Sequence, residues 1–409
     1  MEEWKEYKLG DLCYNVCSGG TPKSTYSAYY EGGKIPWLNT KEINYNRIYS
    51  TESHITEEGL NNSSAKWIDA NSVIVAMYGA TAGRVAIAKV PMTTNQACCN
   101  LMIDSSKADY NYIYYYLSNS YKQLLGMANG AAQQNLNAQV IKDFIISLPD
   151  IQEQRNIATI LSSLDSKIAV NKKICENLEA QAQALFKHWF VDFAPFKDGK
   201  FVESELGLIP EGWRAGTLSD LGEIVGGATP SKAESTYFTD KGIAWLTPKD
   251  LSNDLKKFTS RGEIDITEEG YNSCSAKIMP RGSVLFSSRA PIGYITIAKN
   301  NICTNQGFKS VVPNYAGTAY IYYLLKLNTK RIENMSSGTT FKEASGALMK
   351  SLAVLLPPKS ALDAFESKVL DIFNEQEVLE TESTRLSSLR DTLLPKLMTG
   401  EIKVNEIAI

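Results

Sequence analysis

Gly19-Gly20-Thr21-Pro22-Lys23-Ser24 and Gly226-Gly227-Ala228-Thr229-Pro230-Ser231-Lys232 come nearest, in composition, to a loop that grips phosphate. Neither has the Gly-x4-Gly-Lys-Ser/Thr spacing, and the proline in each removes an amide that such a loop would aim at its ligand. Gly130-Ala131-Ala132-Gln133-Gln134 and Gly338-Thr339-Thr340-Phe341 are turn-like and lack a dinucleotide fingerprint. Nucleophilic catalysis fares no better, since there is no Gly-x-Ser-x-Gly elbow and the two histidines, His54 and His188, lie far apart. The seven cysteines include no Cys-x-x-Cys pair; Cys13 and Cys17 form a Cys-x3-Cys and Cys98 adjoins Cys99. With two histidines no zinc pattern assembles, and free, mostly buried thiols are the expectation. The acidic pairs Glu57-Glu58 and Glu268-Glu269 each precede glycine and read as solvated helix or turn residues.

What recurs instead is polar equipment suited to nucleic acid. Asn39, Thr40 and Lys41 follow Trp37-Leu38, while Thr247, Pro248 and Lys249 follow Trp245-Leu246. Arg84 stands beside Gly83, and Arg289 lies in Ser288-Arg289-Ala290-Pro291-Ile292-Gly293. Asn, Gln, Lys and Arg pair with base edges, and Lys, Arg, Ser and Thr hold phosphates. Singly, each is also what an ordinary polar loop contains. A net charge of -3 argues against a broadly basic surface, so positive charge must be local or come partly from another subunit.

These residues recur because most of the chain is written twice, at an offset of about 208 to 211 residues. Trp4, Leu9, Asp11 and Leu12 return as Trp213, Leu218, Asp220 and Leu221; Thr21-Pro22 returns as Thr229-Pro230. Ile55-Thr56-Glu57-Glu58-Gly59 matches Ile266-Thr267-Glu268-Glu269-Gly270, Thr94-Asn95-Gln96 matches Thr304-Asn305-Gln306, and Tyr112-Ile113-Tyr114-Tyr115 matches Tyr320-Ile321-Tyr322-Tyr323. So long a period is a duplicated domain, not a solenoid unit. A duplicated binding domain implies a target in two parts. Residues shared by the copies build the scaffold, and residues that differ are the better candidates for reading different sequences.

The 409 residues exceed one ordinary core, in keeping with two domains and connectors. A 44% hydrophobic and 21% charged composition, no membrane-length apolar run and a charged N-terminus predict a soluble, cytoplasmic protein. Each copy begins with short strand-like runs, such as Ser72–Met77 and Arg84–Ala88, broken by Gly, Asn, Thr and Pro. The tyrosine-rich segment Tyr110–Tyr121 and its copy Tyr320–Leu327 have helical spacing, so the class is α+β.

Gly and Pro then vanish from Ile151 to Ala194. Ile157, Leu161, Leu164, Ile168, Asn171, Cys175, Leu178, Ala182, Leu185 and Trp189 follow steps of four and three, a coiled-coil seam. Phe365, Val369, Ile372, Gln376, Leu379, Ser383, Leu386, Arg390, Leu393 and Leu397 repeat it, weakened by Gln376, Ser383 and Arg390. A parallel pair would need residues 191–212 to return nearly fully extended along roughly 58 Å of helix, whereas an antiparallel pair needs no return. The expectation is therefore two β-rich domains of similar fold at opposite ends of two long antiparallel helices, pseudo-twofold symmetric. Asn171, facing Gln376 or Ser383, would fix their orientation. The boundaries are 1–149 for the first β-rich domain, 150–190 for the first helix, 191–212 for the connector, 213–357 for the second domain, 358–398 for the second helix and 399–409 for the tail.

Six features coincide: the Trp4-to-Leu12 opening, the Gly19-to-Pro22 turn, Thr94-Asn95-Gln96, Pro149-Asp150-Ile151-Gln152-Glu153-Gln154, the joint Gly207-Leu208-Ile209-Pro210-Glu211-Gly212-Trp213, and the ending Leu393-Leu394-Pro395-Lys396-Leu397-Met398-Thr399-Gly400-Glu401-Ile402. Through them the chain resembles, over nearly its whole length, the specificity (S) subunit of Type I restriction-modification systems. Pro357-Pro358-Lys359-Ser360-Ala361-Leu362, opening the second long helix, departs from the family form. The resemblance implies two target-recognition domains, each reading one half of a bipartite double-stranded DNA site, on helices that set the spacing and dock two modification (methyltransferase) subunits. It implies that this chain is not itself an enzyme and holds no cofactor. S-adenosylmethionine, ATP and Mg would belong to the modification and the restriction/translocase subunits.

The candidate contacts to phosphate and scaffold are Lys23, Ser24, Lys41, Arg84, Lys232, Lys249 and Arg289. The candidates for base edges are Asn39, Gln133, Gln134, Asn135, Thr339, Thr340 and Lys342. Two other readings compete: a dumbbell adaptor that uses both domains on proteins, and a self-contained DNA methyltransferase or nuclease. The second lacks an Asn-Pro-Pro-Tyr-like signature and a nuclease cluster.

Overall fold

The computed structural model describes residues 4–127, 135–253, 255–338 and 342–406. It divides into two units, residues 1–168 with 385–409 and residues 169–384. In the first, Cys13–Ser18, Cys98–Ile103, Val73–Ala76, Val85–Ala88 and Asn46–Ile48 form a five-stranded sheet in that order. All neighbours are antiparallel except the last pair. Val73–Ala76 and Val85–Ala88 are buried on both faces, which is why they read as continuous apolar runs and not as an alternation. A four-stranded sheet, Ser53–Ile55, Ile35–Leu38, Met92–Thr94 and Trp67–Ile68, lies beside it in sequence. Lys5–Lys8 pairs with Ile145–Leu148 and so ties the start of the unit to the strand that feeds the first long helix.

The second unit repeats the design. Gly222–Gly226, Lys309–Pro313, Val284–Ser288, Ile292–Ala298 and Phe258–Thr259 make the five-stranded sheet, again with a parallel last pair. Trp245–Leu246 runs parallel to Cys303–Thr304, as Ile35–Leu38 does to Met92–Thr94. Arg214–Thr217 pairs with Ala353–Leu356. The tyrosine-rich segments are helices, Tyr110–Asn119 with Asp109 as its N-cap, and Thr318–Met335. Tyr112, Tyr320 and Tyr323 are among the largest fully buried side chains. The architecture is α+β, with two β-rich domains of one topology.

Each long helix is 40 residues, Ile151–Phe190 and Lys359–Met398. Asp150 caps the first by accepting from the amides of Gln152 at 2.7 Å and Glu153 at 3.0 Å. Buried Gln154 then links Pro149 O to the Asp109 amide, which explains the Pro-Asp-Ile-Gln-Glu-Gln opening. In the first unit Ile157 and Leu161 share a core with Leu397 and Met398, and Asp165 meets Arg390 at 2.8 Å. In the second, Asn171 Nδ2 donates to Glu382 at 2.7 Å and Ser383 at 3.3 Å, Gln376 donates to Cys175 O at 3.1 Å, and Phe190 packs edge-on against Phe365 at 5.0 Å. Residue numbers rise on one helix as they fall on the other, so the pairing is antiparallel in each unit. Asn171 meets Ser383 and not Gln376. Of the other polar seam residues, Arg390 finds Asp165, and Gln376 accepts from Lys257 at 2.8 Å.

Each β-rich domain is pinned to these helices by a cation, half-buried in the first and buried in the second. Arg47, leaving the edge strand Asn46–Ile48, reaches Asp165 at 3.1 Å and donates to the Tyr115 hydroxyl at 2.9 Å. Lys257, just before Phe258–Thr259, reaches Glu179 at 2.7 Å and the Tyr323 hydroxyl at 3.1 Å. Tyr115 and Tyr323 are repeat equivalents, so one device is built with different side chains. The segment 191–212 is more than a link, because Phe201–Ser204 and Gly207–Pro210 form a hairpin. Trp213 beyond it packs against Phe190, Phe193 and Phe196. All seven cysteines are free thiols, three buried and four half-buried. Among the described residues no helix is long and apolar enough to cross a membrane.

Candidate nucleic-acid interface

The Gly-Gly-Thr-Pro turns and the Thr-Asn-Gln segments, far apart in sequence, come together in both units. Gly20 N donates to Thr94 O at 2.9 Å, and Ala228 N donates to Thr304 O at the same distance. The backbones approach so closely that a Cβ on Gly19 would lie 2.0 Å from Thr94 O, and one on Gly227 2.1 Å from Asn305 O. The turn hydroxyls Thr21 and Thr229 bond to Gln96 and Gln306. Trp37 Nε1 donates to Gly20 O at 2.9 Å, and Trp245 Nε1 to Ala228 O at 3.1 Å. These turns therefore serve as a structural joint.

Next to the joint lies a second shared element. In the first unit Asn39 is the N-cap of a short 3-10 turn, with its side chain accepting from Lys41 N at 3.2 Å. Its own amide donates to Glu42, which also accepts from the Glu52 amide. In the second unit Thr247 donates to Asp250 through both its amide and its hydroxyl at 2.7 Å, and Asp250 accepts from the Glu263 amide at 3.0 Å. Lys41 lies 2.6 Å from Glu52 and Lys249 3.8 Å from Glu263. The bond to Glu52 raises the Lys41 ammonium above its ordinary value. Both lysines are mostly exposed, with charge available to a polyanion.

In the second unit these elements surround a cleft of about 760 Å³, whose walls include Thr229, Lys232, Thr247, Lys249, Arg289, Asn305 and Gln306. Lys232, Lys249 and Arg289 are thereby gathered in one place. In the first unit Lys23 stands over the Tyr26 ring at 5.1 Å, Lys41 faces Glu52, and Arg84 donates to Asn44 at 2.9 Å, three separate engagements. Ser24, Asn135 and Lys342 are exposed loop residues. Gln133, Gln134, Thr339 and Thr340 lie outside the described residues.

The sequence did not single out Glu343 or Lys309, yet they frame Arg289. Glu343 sits 3.7 Å from Arg289 and 3.5 Å from Lys309. Contacts over 34 residues leave no periodic trace. Gln306 and Asn305 are visible in the sequence through the Thr-Asn-Gln repeat, and the fold places them in the cleft wall.

Comparison with known proteins adds a family. The model of the Type I restriction modification DNA specificity domain matches residues 1–180 and again residues 210–386. The chain is 30% identical over 422 residues to the specificity subunit of the Type I restriction enzyme MjaIX of Methanocaldococcus jannaschii, covering 99% of this chain and 95% of that one. It is 24% identical over 470 residues to the specificity subunit of the HindI enzyme of Haemophilus influenzae, covering 98% and 100%. A crystal structure of a Type I restriction-modification S subunit from M. genitalium has the same fold, with a TM-score of 0.64 at 16% identity over 96% of each chain.

Proposed function

Because the chain belongs to the Type I restriction-modification DNA specificity family, we propose that its two β-rich domains each read one half of a bipartite double-stranded DNA target. The observation that carries this reading is one sheet topology and one turn-to-Thr-Asn-Gln joint built twice, around surfaces whose side chains differ. A twofold scaffold with unlike surfaces suits a split site with unlike halves. The paired helices set the spacing between the halves and dock two modification subunits. Methyl transfer from S-adenosylmethionine, and ATP- and Mg-dependent translocation and cleavage, belong to the modification and restriction subunits. Phosphate charge is then met partly by those partners, in keeping with a net charge of -3 here.

Mapping of methylated bases in DNA from cells that express this chain with its modification subunits tests the reading. A motif in two parts, with a methylated base on each side of an unspecified gap, is the expected result. A continuous motif, or none, sinks it. The purified chain alone, given labelled S-adenosylmethionine and DNA, should transfer no methyl group.

A further inference from the structure

The hydrogen-bond registers identify which positions of the two domains are equivalent at the end of the central strand. Met77 N donates to Ala97 O while Leu136 N donates to Met77 O; Ser288 N donates to Gly307 O while Ala344 N donates to Ser288 O. Met77 therefore corresponds to Ser288, Tyr78 to Arg289, and Asn135 to Glu343. The scaffold is the same on both sides of each pair, and the side chains presented are unlike: Tyr78 with Asn135 in one domain, Arg289 with Glu343 in the other.

Arg289 is mounted rigidly. The strand before it, Val284–Ser288, is buried at every residue, and Ser288 is bonded through its amide at 2.7 Å and its hydroxyl at 3.1 Å to Gly307 O. Arg289 itself forms a bridge with Glu343, whose carboxylate is held by Lys309, a side chain only 16% exposed. At 3.7 Å the Arg289–Glu343 contact orients the guanidinium without consuming its donors in a close hydrogen bond. The group stands in the cleft with Thr247, Asn305 and Gln306, about one-third exposed. A phosphate anchor needs only charge and reach, as Lys232 and Lys249 supply. A planar fork carried at the end of a buried strand and framed by a carboxylate suits a planar target with two adjacent acceptors.

The geometry points to Arg289 as a base reader that recognises a guanine in the half-site of the second domain, pairing with its O6 and N7 in the major groove. Tyr78 supplies no such fork, so the first domain does not read guanine from the equivalent position. The inference rests on the DNA-reading role argued above and names one base and one residue of it. It moves Arg289 from the phosphate contacts, where its charge alone had placed it, to the specificity set.

Two experiments test it on the assembled methyltransferase. In cells carrying Arg289→Ala, methylation mapping should show one guanine position relaxed to any base in one half of the motif, with the other half unchanged. An unchanged motif overturns the inference, as does an even loss of methylation over all sites, which marks a phosphate contact. With the native complex, each guanine of the motif is replaced in turn by 7-deazaguanine, which lacks the N7 acceptor. Roughly a tenfold loss of affinity at one guanine is expected. No loss at any guanine overturns the assignment whether or not the alanine variant folds. A native motif that is not split rejects the DNA-reading proposal itself, a result distinct from either failure.

Discussion

Lys257 Nζ and Glu179 Oε2 lie 2.7 Å apart, with only 6% and 21% of their side chains exposed. Lys326 reaches the other carboxylate oxygen at 2.7 Å, and Phe373 lies under the Lys257 ammonium at 3.6 Å. Burial alone would raise the Glu179 carboxyl, but the two ammonium groups outweigh it and hold it at about 2, against an ordinary 4.5. Burial wins at Lys257 and lowers it to about 8, with Glu179 opposing. Both groups are charged at neutral pH.

A carboxylate with a depressed folded value stabilises the fold above its unfolded value and loses that contribution as pH falls through the folded one. For Glu179 the window is pH 4.5 down to about 2, and the full contribution is roughly 3 kcal/mol. Glu179→Gln should therefore be less stable than the native chain near pH 6, with the gap narrowing through that window. Denaturant unfolding at a series of pH values measures it, and a gap that does not depend on pH would show that the pair contributes little. Lys257 has the same slope at high pH: its depressed value weighs against the fold below about 8, and that penalty is relieved as pH rises from about 8 towards 10.5.

In the first domain the corresponding carboxylate, Asp165, serves two guanidiniums, Arg47 at 3.1 Å and Arg390 at 2.8 Å, and accepts from the Tyr115 hydroxyl. Asp165→Asn leaves two arginines facing each other in a half-buried site, a loss of about 3 to 5 kcal/mol. Combining it with Arg390→Ala should recover part of that loss, because the repulsion between the two guanidiniums is removed, although Arg390 also keeps Asp391 at 2.8 Å. Strict additivity in a double-mutant cycle would rule out the shared network.

Gly19 and Gly227 make the same close approach in the two domains, so alanine at either should cost about 3 kcal/mol or more. The damage should be local. Limited proteolysis of Gly19→Ala should open the first domain, and of Gly227→Ala the second. Normal stability for both variants would mean that the turn can shift away from Thr94 and Thr304.

Much of this was legible because periodicity and repetition leave marks in a chain. The Ile157-to-Trp189 seam repeats every three or four residues, and the structure leaves none of its members exposed. The repeated Thr-Asn-Gln and the repeated glycine-rich turn are both visible in the chain, and their meeting is visible only in the fold. Buried pairs leave no such mark: Lys257 and Glu179 are separated by 78 residues and look like any surface charges. Asn39 has a role that its residue type alone does not reveal, since the fold uses its side chain as a helix cap. The sequence alone does not say which residue of the first copy matches Arg289. The repeat offset is 211 along the central strand, where Val73 matches Val284, and 210 along its neighbour, where Ile87 matches Ile297, and only the strand registers reveal that Tyr78 is the true counterpart.

Lys41 and Lys249 occupy matching places, each exposed and facing a glutamate. Surface ion pairs of this kind add little to stability, so alanine at either should leave unfolding within about 0.5 kcal/mol. Affinity of the assembled complex for DNA should fall evenly across sequences, and the salt dependence should weaken by about one ion per lysine. Titrations at several salt concentrations on cognate and scrambled duplexes separate the cases. A loss confined to the cognate duplex would make the lysine a reader.

The contact Asp165–Arg390 belongs to one unit and Asn171–Ser383 to the other, so the stretches between them, 166–170 and 384–389, are where length can be added without breaking either set. Seven residues keep the 3.5-residue seam in register, and one heptad lengthens a helix by about 10.5 Å. Insertion into one helix alone breaks the antiparallel match and should destabilise the pair. Insertion into both should keep the two half-site sequences and widen the gap between them by roughly three base pairs, taking about 3.4 Å per pair. Methylation mapping reads both quantities at once. Unchanged half-sites with an unchanged gap would mean that something other than these helices sets the spacing.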